Sequence, residues 1–201
     1  DYVVRHRSQE LSSIWGVIRQ RAEHGFTEHE FFQELTWVIH VSGFSAKVVG
    51  QKFKAILKAH NIEDENGHYI EILWRNIIRP PEFPAKIYPV WANHHKAAAL
   101  QKARQYVLDT GWEVIYNQMK ESKLDPRWLA DHFAYVGPAL SCHLSRNLGN
   151  VDVVKPDKHL NRLAALHQCR DARELCCRCP STPPGLVDLT LWLAAVDCGT
   201  L

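Results

Sequence analysis

Two residues twenty positions apart, Gly137 and Asp157, anchor the chemistry that this sequence offers. Residues 153–164 read VVKPDKHLNRLA, which places Asp157 between a proline and a basic run, where a helix over residues 158–168 is expected to begin. A carboxylate at that position caps the helix. Held in one direction by the cap, it also suits a group that must stabilise a nascent cation or take a proton from water. Leu160 stands where a reciprocal capping box would need Glu or Gln. Lys155 and Lys158 flank the carboxylate and are suited to contacting phosphate or to lowering its pKa.

Upstream, Asp125 and Pro126 open a helix carrying Trp128, Leu129 and Phe133; YVGPA breaks it, and Pro138 opens the next, which ends at Leu148 before Gly149. A helix, a short turn and a second helix over residues 126–148 form a helix-hairpin-helix pattern. Such a turn points unpaired backbone N–H groups and the positive helix end in one direction, making a phosphate site indifferent to base sequence. An ordinary αα-hairpin is the plainer reading of the turn alone.

The elements that must position these groups read as helical almost throughout. Thr27 and Glu30 form a capping box ahead of Phe31, Leu35, Val38 and Ile39 at helical spacing. Gly43 interrupts, and Ala46, Val49, Phe53, Ile56 and Leu57 continue the period to about His60. IEILWRNII is a shorter segment, and the proline-rich RPPEFPAKIYP is a connection between lobes. Helices are expected over about 92–106, with Lys96, Lys102 and Arg104 on a side that is solvated or contacts a phosphate backbone, and over WEVIYNQMKES. GLVDLTLWLAAVDC supplies a last helix. The class is all-α, with lobes over 25–90 and 91–168 and a closing helix, 186–198, packing between them.

At 201 residues, 46% hydrophobic and 23% charged, with seven tryptophans, the chain is a packed globular protein. A net charge of +2 leaves any basic face to be found locally. No apolar run is long enough to span a membrane, and the start has no signal-peptide core, so a soluble cytoplasmic or nuclear monomer with free thiols is expected.

The stretch YVGPALSCHLSRNLGNVDVVKPDKHLNRL resembles the signature of the helix-hairpin-helix DNA glycosylase superfamily, in which a hairpin glycine precedes the catalytic aspartate by the same twenty residues. The resemblance covers about residues 125–165, and extends weakly to LVDLTLWLAAV and to the first helical pair. It implies a two-lobed helical fold, DNA as partner, and hydrolysis of the bond between a damaged, modified or mispaired base and its deoxyribose. Asp157 would then stabilise the sugar cation and direct water, while Tyr135, Val136, Gly137, Pro138, Ala139, Lys155 and Lys158 hold the DNA backbone.

Two positions depart from the family pattern. Tyr135 replaces the first hairpin glycine, and Ala139 stands where strand-cutting members carry a Schiff-base lysine, so a monofunctional enzyme is implied. The alternatives are a catalytically inactive helix-hairpin-helix DNA-binding module and an N-glycosidase acting on another nucleic acid or nucleotide. Many members hold an iron–sulfur cluster, and Cys169, Cys176 and Cys179 fall at three of its four ligand positions, but the fourth position is Gly185. No cofactor is expected; zinc held by His167, Cys169, Cys176 and Cys179 is the alternative. VSGFSAKVVGQKF resembles the GFxA stretch of 3-methyladenine DNA glycosylase I, with Ser42 where that enzyme has an acidic residue. Trp37, His40, Ser42 and Phe44 are therefore candidates for a base pocket.

Overall fold

The computed structural model describes residues 8–63, 69–78, 93–156 and 158–197. Asp157 and the proline-rich connection over 79–89 lie outside them, as does Cys198 at the end of the expected closing helix. Among the described residues the chain is helical, without a strand. No described helix is long and apolar enough to cross a membrane.

The helices are α1 (Ser8–His24), α2 (Glu28–Val41), α3 (Ala46–Ala59), α4 (Tyr69–Leu73, continued by a π-helical turn, Trp74–Ile78), α5 (His94–Thr110), α6 (Trp112–Glu121), α7 (Pro126–His132), α8 (Pro138–Asn147), α9 (Lys158–Leu166), α10 (Ala172–Cys177) and α11 (Pro184–Asp197). Local chemistry sets many of the boundaries. Thr27 caps α2 with both bonds of the capping box, and Ser45 accepts from the Val48 amide at the start of α3. Asp125 accepts from the Arg127 amide at the start of α7, 3.0 Å away.

Contacts divide the chain into two units. One gathers the described residues of Asp1–Phe26, Lys123–Arg127 and Gly137–Leu201; the other gathers those of Thr27–Ser122 and Trp128–Val136. The division does not fall at residue 90, as the sequence led us to expect. Helices α5 and α6 belong with α2 because Trp112 packs on Phe31 at 5.5 Å between ring centroids and Lys96 bonds the end of α2.

The core of the second unit is aromatic. Phe31 meets Phe32 and Phe133, and Phe32 stacks on Trp74 at 4.5 Å, so burial adds directional ring contacts to area removed from water.

In the first unit α1 completes the packing of the chain's far end. Leu11 and Ile18 join Leu186, Leu189 and Leu193 in one cluster, while Val154, Leu160, Ala172, Cys176 and Val187 form a second. Gly149, past the end of α8, has φ +115°, and a Cβ there would sit 2.7 Å from the Ala22 amide nitrogen. Only glycine lets α1 and this turn approach so closely. The closing helix begins at Pro184, and its Gly185 amide donates to the Val151 carbonyl at 2.7 Å, tying α11 to the segment that leads towards residue 157.

Candidate nucleic-acid interface

The hairpin is present, with a geometry its sequence did not announce. Gly137 is the N-cap of α8 with φ −75° and ψ −178°, extended backbone that any residue adopts. The left-handed residue is Tyr135, at φ +70°. A bulky side chain there costs on the order of 1 kcal/mol. Gly137 faces open space, and α8 starts without a side-chain cap, so its first amides lie where a phosphate can approach. Val136 is placed differently. Its side chain is buried, and its N–H donates to the Phe133 carbonyl at 3.2 Å, so neither is offered to a phosphate. Pro138 has no N–H to give, and Ala139, with a single methyl, brings no amine.

Lys155 and Lys158 lie on either side of position 157, half-buried and exposed respectively, and α9 begins at Lys158. The segment leading to them is fixed from beneath. Arg146 donates from Nη1 to Asp188 Oδ2 at 2.8 Å, and the Lys155 backbone N–H reaches the same oxygen at 2.8 Å. Both charged side chains of this pair are almost wholly buried. Its mutual attraction must offset a large desolvation cost, so neither member can be lost cheaply. His143 sits nearby, held well below the usual histidine range by burial and by the positive charges of Arg146 and Lys155. The sequence reading missed Asp188; a lone acid within the apolar run of α11 is the signal that marks it.

The base-pocket candidates separate. His40 is 1% exposed, bonds the Thr36 carbonyl through Nδ1 at 2.7 Å and meets Phe53 edge-on. Burial lowers its pKa to about 4, so it is a neutral core histidine and not a reader of bases. Trp37 and Ser42 are half-buried, whereas Phe44 is 42% exposed.

Lys96, expected on a solvated face with Lys102 and Arg104, is 1% exposed. Its ammonium donates to the His40 carbonyl at 2.8 Å and the Ser42 carbonyl at 2.6 Å. These oxygens are at the negative end of α2, where a cation is stabilised. Burial still lowers its pKa to about 8. The same Nζ lies 4.7 Å from the Phe44 ring centre and 5.9 Å from that of Tyr135. Two residues with separate expected roles, base pocket and backbone grip, are thus neighbours around one ammonium.

Among the described residues no three His, Cys, Asp or Glu side chains could hold a metal, so His167, Cys169, Cys176 and Cys179 make no zinc site. Cys169 and Cys176 are buried, whereas Cys177 and Cys179 are exposed. Burial and the charge of Asp188 push the Cys176 thiol up to about 12, which keeps it protonated.

Against solved structures the chain matches the 8-oxoguanine DNA glycosylase of Thermotoga maritima with a TM-score of 0.62, over 95% of this chain and 91% of that one. The two chains share a fold. At 19% identity the likeness speaks to architecture, and it agrees with the superfamily resemblance read from residues 125–165. No family model matches the sequence, and no curated protein does.

Proposed function

We propose that this protein is a monofunctional DNA glycosylase, hydrolysing the N-glycosidic bond of a damaged, modified or mispaired base. The observation that carries the reading is the glycosylase fold combined with an aspartate twenty residues after the hairpin glycine. In this reading the amides of Gly137 and Ala139, with Lys155 and Lys158, hold the strand on either side of the lesion. The base turns out of the stack, because inside the duplex its glycosidic bond is shielded. As that bond lengthens, positive charge grows on the deoxyribose, and the Asp157 carboxylate stabilises it. The same carboxylate orients a water and accepts its proton; the oxygen joins C1′, and the base leaves with the bonding electron pair. The products are a free base and an abasic site.

Strand cutting in this chemistry needs an amine that attacks C1′, and Ala139 has none. The Arg146–Asp188 pair supports the reading from below, since it anchors the backbone two residues before Asp157.

The test is a panel of duplexes, each bearing one lesion, incubated with the protein and treated with hot alkali to reveal abasic sites. Base release from at least one lesion is expected, falling by more than a hundredfold in Asp157→Asn with DNA affinity kept within a few-fold. Borohydride should trap no covalent adduct; a trapped species would overturn the argument from Ala139. Tyr135 at φ +70° favours a second reading, a DNA-binding module without catalysis. DNA binding with no base released from any lesion would select it.

A further inference from the structure

The aromatic pair around Lys96 has no part in the reaction just described. Phe44 and Tyr135 are each about two-fifths exposed, at 42% and 41%, in a unit whose other described aromatic rings are buried or half-buried. Each belongs to a segment with a structural reason for its position. Phe44 follows the end of α2, and its amide donates to the Val41 carbonyl at 3.1 Å. Lys96 fastens that same end through the His40 and Ser42 carbonyls, and its Nζ approaches the rings of both Phe44 and Tyr135. Lys52 adds a second ammonium 6.0 Å from the Phe44 ring. Cations at these distances are attracted to ring faces and hold them in place.

Tyr135 also occupies a left-handed backbone position that glycine would fill without strain. A tyrosine in that position is explained by what its ring does. In the chain only one residue, Val136, separates Tyr135 from Gly137, at which a DNA strand is proposed to dock.

We propose that Phe44 and Tyr135 form a platform on which a nucleobase of the bound strand stacks, with Lys96 as the positioning residue that holds both rings. The ligand is a flat base in single-stranded or locally opened DNA, recognised by its face and not by its hydrogen-bonding edge. Stacking of this kind tolerates any base, and the lysines nearby keep the strand's charge matched. Tyr135 thereby becomes a wall for a base rather than a turn residue gripping phosphate. The inference rests on the proposal that DNA is the ligand, but not on catalysis.

The experiment compares two labelled twelve-mers by fluorescence anisotropy, one of thymidines and one of abasic tetrahydrofuran units carrying the same phosphates. The full chain should bind the thymidine strand on the order of tenfold more tightly. Phe44→Ala and Tyr135→Gly should each erase most of that preference, although glycine relieves the backbone. Tyr135→Phe should retain it, and Lys96→Met should weaken it while circular dichroism shows the helices intact. Equal binding of the two strands by the wild-type chain, no binding of either, or full preference in Tyr135→Gly would overturn the platform. Loss of preference in Tyr135→Phe would move the effect to the hydroxyl and overturn stacking. A chain that releases bases yet ignores them in this assay refutes the platform alone. One that prefers the thymidine strand and releases no base refutes only catalysis.

Discussion

Replacing His40 by leucine should change how stability depends on acidity. In the folded chain His40 has a pKa of about 4, against 6.5 for an exposed histidine, chiefly because burial penalises its charged form. The unfolded chain therefore binds a proton at a pH where the folded chain refuses it. Since the folded pKa is the lower one, the associated stability is fully present above pH 6.5 and is lost as pH falls towards 4. A difference of 2.5 units corresponds to about 3 kcal/mol, most of it lost between pH 7.5 and 4.5. Leucine has a similar volume and no proton to bind. It gives up the ring contact with Phe53 and the bond to the Thr36 carbonyl, an oxygen that still accepts within its helix, so at pH 7.5 the variant should be less stable by about 1 kcal/mol. By pH 4.5 it should be the more stable protein, by about 1–2 kcal/mol. Urea unfolding followed by circular dichroism across that range gives both curves. Curves that stay parallel would refute the reasoning, because His40 would then titrate alike in both states. DNA affinity of His40→Leu should match the wild type at neutral pH, as expected of a core residue.

Asp188→Asn leaves the Arg146 guanidinium buried beside a neutral amide, and should lower unfolding free energy by about 3 kcal/mol or more; a loss under 1 would show that the pair contributes little. Gly149→Ala drives a Cβ against the Ala22 backbone at a positive φ and should cost at least about 2 kcal/mol in the same assay. Gly16→Ala is its counterpart. That residue is exposed within α1 with nothing near its missing Cβ, and the change should stabilise by about 0.5–1 kcal/mol.

The capped helices were legible because their signals are local. Thr27 with Glu30, and Asp125 with Pro126, announce a boundary within four residues, and the structure places it there. Lys96 was misread because charge was given more weight than register. It lies one turn before Leu100 on the stripe that continues through Ala103 and Val107, all of them buried. The same register argument marks His40, one residue past Ile39 on the face that carries Phe32, Leu35 and Thr36. Helix α1 had a readable period in Leu11, Ile14, Trp15 and Ile18 that was passed over. The neighbourhood of Phe44 and Tyr135 could not be read at all, because the lysine between them makes bonds that span more than fifty residues. The division into units was hidden for the same reason, since the packing of α1 on α11 leaves no mark in either segment alone.

The pairing of α1 with α11 bears on how the chain is made. Emerging from a ribosome, Leu11 and Ile18 precede the distant members of their cluster by a long way, Val151 by more than 130 residues and Leu186, Leu189 and Leu193 by more than 160. The Thr27–Ser122 stretch holds most of its own partners and can condense during synthesis, while the first helix waits as an unburied amphipathic segment. Closing so long a loop is entropically slow, so the capture of α1 by α11 should come late in folding.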